Sequence, residues 1–158
     1  MNAEAERLVR EFALEQHPEG GYYREVFRSP ETVVTMNGDK RSALTVIYFL
    51  LAENQVSRWH RLRSDETWHF GCGDELEISL LEAAGHATTL TVGPSGPYVA
   101  AVPAGLPFAA RLRPGTGFAL ATCCVAPGFE FADFELLDVA ELLRAYPECA
   151  DTIASYVR

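Results

Sequence analysis

Several things are scarce in this chain, and each shortage removes a class of function. No apolar run approaches the ~20 residues of a membrane-spanning helix, and the stretch Leu44 to Ala52 is interrupted by strand-forming residues. Basic residues are few: 13 Lys and Arg stand against 22 Asp and Glu, a net charge of −9. Nucleic acid selects the opposite balance, so no nucleic-acid partner is expected. The four cysteines, Cys72, Cys123, Cys124 and Cys149, include no C-x-x-C pair. Cys123 and Cys124 are neighbours on an expected strand, so they point to opposite faces and cannot enter one metal site together. Free thiols are the expectation. The first residues, MNAEAERLVREF, are charged and lack the apolar centre of a leader peptide. The reading is a cytoplasmic protein with no membrane partner.

What is present suits a folded domain. A 48% hydrophobic and 22% charged composition over 158 residues is that of one globular unit, taken here as residues 1–158. Ala3 to Leu14 has apolar residues at Leu8, Val9 and Phe12, spaced for one helical face. His17-Pro18 and Gly20-Gly21 predict a turn, YYREVF a strand, and Asn37-Gly38 a type I′ hairpin turn. From Ala43 onward strands are expected at Leu44–Leu51, Val56–Arg61, Glu66–Phe70, Glu75–Leu81, Thr88–Val92, Tyr98–Val102, Phe108–Leu112 and Phe118–Cys124. Glycine and proline separate them. Short strands at this spacing predict a sandwich or barrel, at about residues 20–137. The tail, 138–158, returns to helix, broken at Pro147.

One segment carries chemistry. In WHRLRSDETWHFGCG, His60 is followed at Glu66 by a carboxylate and at Gly73 by a turn glycine. Alternation places Arg58, His60 and Leu62 on one strand face and Glu66, Trp68 and Phe70 on one face of the next. The apolar company marks those faces as interior. A buried histidine and glutamate each need a partner, which one another, a metal or a ligand could supply. Further on, PAGLPFAARL keeps a Pro103–Gly105 turn, with Phe108 three residues after the glycine.

The His60–Glu66–Gly73 spacing and the Pro103–Gly105 turn resemble the two cupin motifs. The segments HPEGGYYREVFRS, LTVIYFLL, SRWHRLRSDETWHFGCGDELEI, VPAG and VAPGFEFADFEL are similar to the family called Cupin-5. The resemblance implies an all-β double-stranded β-helix, the cupin jelly roll, with short N-terminal and C-terminal helices, a ligand cavity in the barrel and a homodimer. Metal-binding cupins use three histidines and a glutamate. His60 and Glu66 match that set, whereas Leu62 and Phe108 stand at the other two histidine positions. No cofactor is therefore expected; a divalent metal, if present, would be held by His60 and Glu66, and a third ligand would have to come from His17 or His69.

The superfamily's metal-free epimerases are similar in using a histidine oriented by a carboxylate to remove a proton beside a carbonyl. By that resemblance His60 is the base, Glu66 its orienter or a second acid–base group, and the ligand a small polar, sugar-like metabolite. Tyr23, Arg24, Tyr48, Arg58, Trp68 and Phe108 are the candidate ligand-binding residues, with Asp133 or Glu135 at the barrel mouth. The expected function is isomerase or epimerase-like acid–base chemistry. The alternatives are a metal-dependent oxygenase or isomerase and a non-catalytic ligand-binding module.

Overall fold

Two sequence periods decide the architecture: a period of two through the middle of the chain and a helical period at its ends. The computed structural model describes residues 2–83, 85–113 and 117–157. Its strands are β1 (Glu15–Gln16), β2 (Tyr22–Arg28), β3 (Thr32–Val34), β4 (Lys40–Ser42), β5 (Thr45–Ala52), β6 (Val56–Leu62) and β7 (Asp65–Gly73). They continue as β8 (Leu76–Leu81), β9 (Ala87–Val92), β10 (Val99–Val102), β11 (Phe108–Leu112), β12 (Phe118–Ala126) and β13 (Phe134–Leu136). Helix α1 (Ala3–Glu11) precedes them, and α2 (Val139–Ala145) and α3 (Ala150–Ala154) follow, separated by a 3-10 turn that begins at Pro147.

Eleven strands form two facing antiparallel sheets, in the orders β1-β2-β5-β12-β7-β10 and β13-β6-β11-β8-β9, and β3 and β4 pair as a separate two-stranded sheet. This is an all-β jelly roll of the cupin kind, as the sequence leads one to expect. Alternate side chains of both sheets meet in a core that includes Phe49, Leu51, Leu62, Trp68, Ile78 and Phe108. Burying each such side chain contributes about 1.5–3 kcal/mol. The opposite faces are covered by helices. Ala5 and Leu8 of α1 pack on Leu50 and Leu120 of the first sheet. Leu142, Ile153 and Tyr156 pack on Trp59, Leu81 and Ala109 of the second.

Local chemistry sets the helix limits. Asn2 Oδ1 accepts the Ala5 amide at 2.8 Å and caps α1, while Asp138 Oδ1 accepts the Glu141 amide at 3.0 Å and caps α2. Helix α1 ends at Glu11, short of Leu14, because Ala13 takes φ +48. The Asn37-Gly38 turn is also not the two-residue type I′ turn expected. Val34 pairs with Lys40, leaving a longer loop in which Gly38 has φ +86 and Asn37 does not have a positive φ. No helix among the described residues is long and apolar enough to cross a membrane.

Candidate functional site

The strand that carries His60 is irregular, and the irregularity shapes the site. Against β11, Phe108 pairs with His60 but Ala110 pairs with Ser57, so Arg58 and Trp59 together oppose one residue. This β-bulge keeps both Ser57 and His60 on the interior face, sends Trp59 to the helix-covered face, and turns Arg58 to solvent. Strict alternation placed Arg58 inside; the bulge overturns that assignment. The guanidinium instead donates to the carbonyls of Pro18 and Glu19, and the Arg58 amide donates to Glu19 O at 2.8 Å. Arg58 thus fastens the loop before β2 onto β6.

That loop delivers the residue that the sequence reading passed over. Gly20 and Gly21 have φ +113 and +73, and a Cβ on Gly20 would lie 2.1 Å from Val56 O. The glycines let the backbone press against β6 and drive the Glu19 side chain inward, where it is buried. Glu19 Oε1 accepts a hydrogen bond from Ser57 Oγ at 2.8 Å. Its Oε2 lies 3.4 Å from His17 Nδ1 and 3.3 Å from His60 Nε2. The carboxylate partner of His60 is therefore Glu19; no ion pair or hydrogen bond joins His60 to Glu66.

The hydrogen bonds around this cluster fix where its proton resides. His60 Nδ1–H donates to Arg58 O at 2.6 Å, which leaves Nε2 as the free lone pair. His17 Nδ1 accepts the Glu19 amide at 3.3 Å. With both imidazoles neutral and Glu19 ionised, two nitrogen lone pairs thus face one carboxylate oxygen. One proton shared among His17, Glu19 and His60 relieves that repulsion, so the three titrate as a unit. Burial opposes charge on every member. It lowers His60 to about 4, against a raising effect from the Arg58 carbonyl, and lowers His17. It raises Glu19 to about 6, with His17 and the Ser57 hydroxyl pulling the other way. Ser57→Ala removes that hydroxyl, so it is expected to raise the protonation midpoint of the cluster and to cost about 1 kcal/mol of stability. An NMR titration of the His60 ring protons checks this; an unchanged midpoint would sink the assignment of Ser57.

Glu66 stands apart. It is buried on β7, and burial, reinforced by the nearby Glu19 charge, pushes its carboxyl up to about 8, with the Trp68 indole offsetting a little. At neutral pH Glu66 is a carboxylic acid. Its Oε2 and Trp68 Nε1 are buried with no partner in hydrogen-bonding geometry. Unsatisfied buried polar atoms are costly, and two on neighbouring positions of one strand face mark a place where a ligand completes the bonding.

These groups surround a cavity of about 210 Å³ opening between the sheets. His60, Glu66, Tyr23 and Trp68 line it, as expected, and Arg24 stands at its rim with its guanidinium donating to Phe12 O at 3.1 Å. Two further candidates do not line it. Tyr48 faces the other side of the first sheet, its ring 4.9 Å from Phe12, because β5 turns Ile47 and Phe49 inward. Phe108 lies behind His60, ring centroids 4.0 Å apart, and serves as its backing. At the mouth, Asp133 is held by Arg41 at 2.6 Å and Glu135 by Arg61 at 2.7 Å; Glu130 lines the opening instead. His17, Glu19 and Cys123 join the lining. The H-P-E-G-G sequence was the available signal for Glu19: a carboxylate beside two glycines that bring backbone against a strand.

A family model, Cupin_5, described as cupin superfamily (DUF985), matches residues 6–137. The chain belongs to this family. A solved structure of a hypothetical protein from Leishmania major is 32% identical, with TM-score 0.90 over 97% of this chain and 98% of that one. A protein from Shewanella oneidensis is 35% identical, with TM-score 0.87 over 100% and 98%. Oxalate decarboxylase from Bacillus subtilis shares the fold at 16% identity and TM-score 0.57, covering 90% of this chain and 37% of its own. No curated protein matches.

Some cupins hold a metal, so the donor set of this Cupin_5 chain was compared with what an ion needs. At the two remaining histidine positions stand Leu62, a cavity wall, and Phe108, packed on His60. Glu19 Oε2 occupies the space between His17 and His60. Among the described residues no three His, Cys, Asp or Glu side chains are grouped to hold an ion. Protein sites for zinc and similar metals use about three or four ligands, and the residues present do not fit one.

Proposed function

We propose that this Cupin_5 chain is an acid–base catalyst that moves a proton on a carbon next to a carbonyl in a small polar, sugar-like metabolite, as isomerases and epimerases do. The observation that carries this reading is the pairing, in one cavity, of a proton-accepting cluster with an uncharged carboxylic acid. His17, Glu19 and His60 share a proton site that burial keeps available near neutrality. Glu66 keeps its proton to about pH 8 and has an unpartnered oxygen. Two titratable environments pushed apart in this way are the usual division between a base and an acid.

The chemistry balances without an outside oxidant. The His17–Glu19–His60 cluster takes the proton from the carbon, and the C–H electron pair becomes the C=C bond of an enediol. The carbonyl oxygen takes the Glu66 proton as its π bond breaks. Reversal on the same or the adjacent carbon returns a proton and regenerates the carbonyl.

Purified protein in deuterium oxide, supplied with small hydroxy-ketones, is expected to wash deuterium into the carbon beside the carbonyl. His60→Ala is expected to slow that exchange by about a hundredfold or more while the fold persists. Exchange at the wild-type rate in His60→Ala would remove the base assignment. Ligand binding with no exchange in the wild type would leave a binding module in place of an enzyme.

A further inference from the structure

The charge around the cavity says which form of such a metabolite can enter, and this inference rests on the acid–base reading above. Besides the protonated Glu66, four glutamates, Glu15, Glu19, Glu25 and Glu130, line the cavity and its mouth, against two arginines, Arg24 and Arg28. Both arginines are exposed at the rim. Arg24 donates to Phe12 O. Arg28 spends its guanidinium on Glu25 at 2.9 and 2.8 Å, on Glu130 at 2.8 Å and on Phe129 O at 3.1 Å. Among the described lining residues no lysine or arginine reaches the depth of His60 and Glu66.

An anionic group carried to the depth of His60 and Glu66 would therefore lose its water with no cation beside it, and it would meet the Glu19 carboxylate. Phosphate and carboxylate groups are recognised elsewhere by arginine forks or by α-helix N-termini; here the arginines stay at the rim and no α-helix contributes to the described lining. The interior offers neutral bonding. The Trp68 N–H and the Glu66 carboxyl lack partners, and aromatic walls such as Tyr23 and Phe49 suit the C–H faces of a polyol.

Volume narrows the choice. At about 30 Å³ per water molecule, 210 Å³ holds about seven waters. Covalently bonded atoms pack closer, so the ligand has on the order of ten non-hydrogen atoms. A nucleotide-linked sugar would extend out through the open mouth.

We infer that the cavity takes an uncharged hydroxy-aldehyde or hydroxy-ketone of roughly three to five carbons and rejects its phosphorylated and carboxylated counterparts. The test is isothermal titration of the full chain with five probes: dihydroxyacetone, erythrulose, dihydroxyacetone phosphate, hydroxypyruvate and serinol. The neutral pair is expected to bind at least about tenfold tighter than the anionic pair, a preference of about 1.4 kcal/mol, at both low and high salt. Equal or tighter binding of either anion overturns the inference, and so does failure of both neutral probes to bind. A tighter fit of serinol, the cationic analogue, overturns it as well, by showing that the glutamates select an ammonium group.

Deuterium exchange separates this from the reading beneath it. Neutral probes that bind without exchange sink the acid–base function and leave the charge selection standing. Exchange on the phosphorylated probe alone does the reverse.

Discussion

Glu66→Gln is expected to abolish proton exchange into a bound hydroxy-ketone, by about a hundredfold or more, while the ligand still binds. Glutamine reproduces the shape and neutrality of a protonated glutamate but has no acidic proton to give. The same substitution should leave a second mark, independent of turnover. Glu66 holds its proton up to about pH 8 in the fold, against the ordinary value of 4.5. Because the folded value is raised, its contribution is fully present below the unfolded value and is lost as pH rises through the folded one.

Other members of the site also act on stability. Glu19, raised to about 6, adds a falling slope between about 4.5 and 6. His60, lowered to about 4, adds a rising slope between about 4 and 6.5, and His17 acts in the same direction. These oppose one another below pH 6.5, whereas above it the Glu66 slope remains. Wild-type stability should fall from pH 6.5 to 8 by at most about 1.4 kcal/mol per pH unit, and Glu66→Gln should flatten that fall. Urea denaturation at several pH values reads both curves; parallel curves would show that Glu66 is ionised in the fold and is not the acid.

Gly20→Ala is the second substitution with a large expected effect. A methyl group there meets Val56 O at 2.1 Å, and the residue keeps φ +113. The obstacle is backbone within β6 and cannot swing aside. A cost of about 3 kcal/mol or more is expected, together with displacement of the Glu19 carboxylate from His60. Gly38→Ala supplies the comparison: φ is +86 there too, but nothing lies within 4 Å, so only the roughly 1 kcal/mol backbone penalty applies. Equal denaturation midpoints for the two variants would contradict the close packing of the loop on β6.

Much of this molecule could be read from its sequence, and the parts that could not have physical causes. The strands from Leu44 to Cys124 were legible because period-two alternation and Gly/Pro punctuation coincide there. His60, Glu66 and Trp68 were legible because their faces carry apolar neighbours. Tyr48 was misplaced because β5 is apolar on both faces: one meets the core and the other α1. Arg58 was misplaced because a β-bulge leaves no mark in the alternation pattern. Glu19 was missed because it lies in a loop, where no period assigns a face, and only the three-dimensional approach of the Gly20-Gly21 backbone to β6 turns it inward.

The bulge also bears on how such a site can be gained or lost. Removing the single codon for Arg58 would leave Ser57, Trp59 and His60 opposite Ala110, Ala109 and Phe108, in unbroken alternation. The barrel would keep its core, yet the guanidinium and amide that moor Glu19 would be gone. An in-frame deletion of three nucleotides, with no substitution in the cavity itself, thus divides a barrel whose histidine has a carboxylate partner from one whose histidine is left alone.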